Sequence, residues 1–86
     1  MLNETDIKKN HTIIFNKVWE ELKADMAMEP EQITDDYWGK MINRYMDIVR
    51  QFHGTEYDGF VKSFVMTVVN EVERINTIKW KSNQNS

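Results

Sequence analysis

The sequence predicts an all-α fold: an antiparallel three-helix bundle, with a homodimer as the expected assembly. Three observations predict it. Apolar residues recur at helical spacing in three segments, two short punctuation sites separate those segments, and no segment alternates apolar with polar residues as a half-buried strand would. Proline and glycine mark the joints. Pro30, within Glu29–Thr34, has no amide to donate and biases Glu29 away from helical angles, so the first helix is expected to end near Met28. At His53-Gly54-Thr55, Gly54 can take the left-handed conformation that closes one helix while Thr55 caps the next. The expected helices cover about 5–28, 35–53 and 55–79 within one domain over residues 1–81, and 82–86 reads as a flexible polar tail.

In the first helix Ile7, His11, Ile14, Phe15, Val18, Trp19, Leu22 and Met26 share an arc of about 140° at 100° per residue, with Thr5 or Asp6 as the expected N-cap. In the second, Tyr37, Trp38, Met41, Ile42, Tyr45, Ile48, Val49 and Phe52 repeat the pattern behind Thr34-Asp35-Asp36. That triplet offers a cap and negative charge for the positive end of the helix dipole. The third segment is rich in the β-branched and aromatic residues that favour strands. Spacing decides for helix. The apolar pairs Phe60-Val61, Phe64-Val65 and Val68-Val69 recur every four residues, whereas a strand would place Lys62 on the face of Phe60 and Phe64. Thr55 and Asp58 form a capping-box-like pair at its start.

At 86 residues the chain has room for one core, with a radius of gyration of roughly 12 Å expected if it packs as a globule. Its content, 41% hydrophobic and 29% charged, is that of a chain that folds. Eleven Lys and Arg against 14 Asp and Glu give a net charge of −3, so there is no whole-chain field to gather nucleic acid or coat an anionic membrane. Without cysteine there is no disulfide and no thiol chemistry. The polar, acidic first residues do not read as a signal peptide and no apolar run is long enough to span a bilayer, so the expected location is cytoplasmic with no membrane association.

No nucleophile elbow, phosphate-binding loop, dinucleotide fingerprint or paired-histidine metal motif is present, so no catalytic, cofactor-binding or metal residues are expected and the chain is not expected to be an enzyme. His11 and His53 read as edge histidines with backbone partners. Glu20, Glu21, Asp25, Glu71 and Glu73 read as a solvated acidic face. Lys79-Trp80-Lys81 mixes cations with an aromatic, as a nucleic-acid contact would, but Thr55-Glu56-Tyr57-Asp58 would push two carboxylates toward the phosphates. Protein binding fits better. Three Trp, three Tyr and four Phe exceed what a minimal bundle needs, and aromatics with Met are enriched in interface cores. The third helix carries an apolar arc of about 180°, from Phe60 and Ile78 to Val65 and Val69, wider than a bundle helix buries. The expected function is a small non-catalytic protein–protein interaction module, of the size and acidity of a phage or mobile-element accessory protein acting on a host protein. The expected contact residues are Trp19, Met46, Val65 and Val69, with a partner protein or a second copy of the chain as occupant. The alternative is a small DNA-associated regulator acting through Lys79, Trp80 and Lys81.

Overall fold

A computed structural model of the chain describes residues 3–84 as three α-helices, α1 (Glu4–Met26), α2 (Asp35–Gln51) and α3 (Asp58–Gln84), with one 3-10 turn at Pro30–Gln32. There is no strand among the described residues. Each boundary has a local cause. α1 opens on Asn3, whose extended backbone lets its Oδ1 accept the Asp6 amide at 2.8 Å, so the cap precedes the Thr5 or Asp6 expected from sequence. Glu29 stays extended ahead of Pro30, and the Gln32 side chain accepts the Glu29 amide at 2.8 Å, closing the 3-10 turn on itself. Thr34 then caps α2, its hydroxyl accepting the Tyr37 amide at 3.2 Å, with Asp35 and Asp36 in the first turn.

The connection between α2 and α3 is longer than expected. Gly54 does take a positive φ of 79°, the conformation that favours glycine. Residues 52–57 nevertheless form turns rather than the end of one helix and the start of another. The Thr55 hydroxyl accepts the Tyr57 amide and donates to the Phe52 carbonyl, while the Asp58 carboxylate accepts the Gly54 amide at 3.3 Å. The expected Thr55–Asp58 box therefore does not close, and α3 begins three residues later than the sequence suggested. At its other end α3 takes in residues 82–84, which were expected to belong to a flexible tail; residues 85–86 lie outside the described part. The last turn has tertiary company: Trp80, Asn83 and Gln84 line a cleft together with Pro30 and Glu31.

Side-chain contacts fix how the helices run. Asn10 and His11 in α1 meet Tyr57 at the start of the α3 segment, whereas Asp25 near the end of α1 meets both Tyr37, early in α2, and Asn76, late in α3. α1 is thus joined to both of the other helices near its end, and to the α3 segment near its start. Ile14 and Val18 of α1, Tyr37, Met41, Tyr45 and Ile48 of α2, and Val61, Val65, Val68, Val69 and Val72 of α3 form the core, joined by Ile33 from the connection. This corrects the sequence reading of α3. Val65 and Val69, expected at the exposed edge of its arc, are buried, Val65 completely, and Phe60 and Ile78 are the exposed ones. Three helices meet along the valine stripe, where short branched side chains let the axes approach, and the longer Phe60 and Ile78 fall outside it.

The bundle is a rod. It extends 56 × 19 × 15 Å with a radius of gyration of 15.2 Å, against roughly 12 Å for a globule of this length. Among the described residues, no helix is long and apolar enough to cross a membrane.

Candidate interaction site

An aromatic face runs along the α1–α3 seam. In α1 the four-residue recurrence Ile7, His11, Phe15, Trp19 advances about 40° at each step, so it starts on the line of Ile14 and Val18 and carries Phe15 and Trp19 off it to the outer side. Phe15 is 49% exposed and Trp19 54%. Across the seam the Phe15 ring meets Phe64 edge-on at 5.1 Å and Phe60 at 6.3 Å, and Phe60 stacks on Phe64 at 5.7 Å. His11 continues the row, its ring 5.2 Å from Phe60 and its Nδ1 2.7 Å from the Ile7 carbonyl oxygen. That is the backbone partner expected of it, whereas the His53 side chain is exposed and sits 3.6 Å from an Asp58 carboxylate oxygen.

The four expected contact residues do not share a surface. Trp19 belongs to the aromatic face. Met46 is half-buried against the core from α2, and Val65 and Val69 lie inside the protomer. The exposed rings beside Trp19 are Phe15 and Phe60; the four-residue spacing of Phe15 and Trp19 marks the α1 half of this face, and nothing within one helix marks its meeting with Phe60.

A second arrangement was misread from sequence. Asp25, placed on a solvated face, is only 1% exposed. Its Oδ1 accepts from the Tyr37 hydroxyl at 2.9 Å and from Arg44 at 2.8 Å, and its Oδ2 accepts from the Tyr45 hydroxyl at 2.8 Å. Asn76, also fully buried, donates its amide nitrogen to the Tyr37 hydroxyl at 2.8 Å and to the Asp25 backbone carbonyl at 3.1 Å. Arg44 reaches on to Glu21 at 2.6 Å. Three donors converge on one carboxylate, two phenols and a guanidinium. The network ties all three helices at one level. The signal was present in the sequence: Asp25 lies seven residues after Val18, and Asn76 four after Val72, each in line with the apolar stripe.

Burial, followed by the Asp25 carboxylate that accepts from them, pushes the Tyr37 and Tyr45 phenols above the ordinary tyrosine range. Because the folded state holds these protons more tightly than the unfolded chain does, their contribution is fully present below pH 10.0 and is lost as pH rises past it. Urea midpoints should therefore hold to about pH 9.5 and fall beyond it; a midpoint unchanged to about pH 11.5 would refute the coupling.

Near the C-terminal end of α3, Lys79 and Lys81 differ in role. The Lys79 ammonium donates to the carbonyls of Met26 at 2.7 Å and Met28 at 3.2 Å, closing the end of α1, while Lys81 is exposed. Trp80, 43% exposed, lines a cleft of about 640 Å³ with Pro30, Ile33, Asp35 and Trp38. Among the described residues, no three His, Cys, Asp or Glu side chains gather as metal ligands would. Compared with protein families, curated proteins and solved structures, the chain matches none.

Proposed function

We propose that the chain is a non-catalytic helical interaction module that works as a homodimer, built from antiparallel bundles joined through their α1–α3 aromatic faces. The observation that carries this reading is the row of Phe15, Trp19 and Phe60, large rings left substantially in water along one seam. Contiguous exposed apolar surface of that kind commonly marks an interface, and a twofold dimer lets one patch cover its own copy. Charge favours a second copy over a strongly charged partner. Glu4–Lys8, Glu20–Lys23 and Glu71–Arg74 pair within α1 and α3, which offsets their charges along the two helices that carry this face. The nucleic-acid alternative is weakened by Lys79, whose ammonium is engaged by backbone carbonyls.

Static light scattering at about 50 µM should give a mass near twice 10.3 kDa. The double change Phe15→Asp with Trp19→Asp should give a folded species of 10.3 kDa, since both side chains already face water. A wild-type mass of 10.3 kDa at that concentration would overturn the dimer and leave a heterologous partner, such as a host protein, as the occupant to seek.

A further inference from the structure

We infer that the cleft between the two tryptophans at the α1-exit end of the bundle is a binding site for an extended basic peptide segment, an Arg or Lys side chain of which sits between the Trp38 and Trp80 indoles. This site lies between α2 and α3, apart from the aromatic face, and does not depend on dimerisation.

Shape is the first argument. The cleft encloses about 640 Å³, within the usual range of ligand pockets, and Pro30 and the buried Ile33 give it an apolar floor. It does not stop there. A second hollow of about 210 Å³ shares Trp38 and Thr77 with it and runs on along α2 and α3 past Ile42 and Glu73. Two hollows in a row suit an extended chain better than a compact small molecule.

Charge is the second. Together the two hollows are lined by three carboxylates, Glu31, Asp35 and Glu73, and by no Lys or Arg. Of the cations on the adjoining turns, Lys79 is committed to the Met26 and Met28 carbonyls, Lys40 to Asp36 and Arg74 to Glu71, while Lys81 is exposed and stands outside the lining. An acidic rim with no cation of its own recruits a cationic ligand.

The aromatic walls supply the third. An ammonium or guanidinium group is attracted to an indole face, and tryptophan is the strongest of the aromatic acceptors. Trp38 is held in place by the Tyr37 ring at 5.3 Å, while Trp80 keeps much of its surface open to the cleft side of α3. The aliphatic stem of the bound side chain would lie on Pro30 and Ile33.

The probe is a synthetic peptide of four Gly-Arg repeats with blocked ends, titrated into the ¹⁵N-labelled full chain. The indole N–H signals of Trp38 and Trp80 should shift saturably with a dissociation constant on the order of 1 mM, while that of Trp19 should not move. Trp80→Ala and, separately, Glu31→Gln should each weaken binding about fivefold. Both positions are at the surface, and an unchanged circular dichroism spectrum will establish that each variant is folded. The inference is overturned if the two indoles do not shift at ~5 mM peptide, if both variants bind as the parent does, or if a Gly-Glu peptide of equal length binds equally well. Spermine binding more tightly than the peptide would overturn the peptide as occupant.

Discussion

Replacing Asp25 with alanine is expected to cost about 3–5 kcal/mol of stability, a large share of what a domain of this size possesses. The carboxylate is the common acceptor of Tyr37, Tyr45 and Arg44. Its removal leaves two buried hydroxyls without their acceptor and a partly buried guanidinium with only Glu21. Such a loss exceeds the net worth of the hydrogen bonds themselves, because each stranded group still carries its desolvation penalty. The denaturation midpoint in urea, followed by far-UV circular dichroism at pH 7, reads the effect; a change of less than about 1 kcal/mol would mean that water reaches the network freely. A compensated variant sharpens the point. Asp25→Leu combined with Tyr37→Phe, Tyr45→Phe, Arg44→Met and Asn76→Leu should recover most of the loss, since an apolar set then replaces the buried polar one. What that variant should lose is uniqueness of helix register, visible as poorer dispersion in its NMR spectrum.

The second large effect is expected from Val65→Asp. Val65 is completely buried on the valine stripe where the three helices meet, and no described side chain at that level offers an aspartate a cation. An unpaired carboxylate there should cost more than about 5 kcal/mol, enough to leave the chain unfolded at 25 °C, with helical circular dichroism largely lost. Val65→Ala separates charge from packing and should cost about 2 kcal/mol while keeping the fold. A folded, monomeric Val65→Asp protein would return this residue to the surface and reinstate the interface first read from the sequence.

The three helices were legible because periodicity survives composition. The valine-rich α3 is helical since its apolar pairs recur every four residues, and no local strand preference outweighs a face that packs on two neighbours at once. Thr34 capped α2 as its chemistry suggested, whereas Gly54 took the expected positive φ within a turn and not at the closing of α2. The facing of α3 was not legible. An apolar arc of about 180° does not say which half the neighbours take, and the choice was made by the size of the side chains: valines went in, Phe60 and Ile78 stayed out. Asp25 was missed because its charge was weighed before its position on the stripe. A carboxylate in line with Ile14 and Val18 has to find donors, and Tyr37, Tyr45 and Arg44 are spaced along α2 to supply them. The aromatic face and the two-tryptophan cleft depend on the meeting of two elements, which periodicity within one helix does not report.

The rod-like outline of the bundle governs how the molecule moves through solvent. A body of 56 × 19 × 15 Å suffers more drag than a sphere of equal mass and rotates more readily about its long axis than end over end. Gel-filtration elution calibrated on globular standards will therefore make even a lone protomer look heavier than 10.3 kDa. If two rods lie side by side, frictional anisotropy falls as mass doubles; if they join end to end, both rise. Rotational diffusion from nitrogen relaxation, set beside the scattering mass, thus distinguishes lateral from axial assembly, and the dimer proposed through the α1–α3 seam is of the lateral kind.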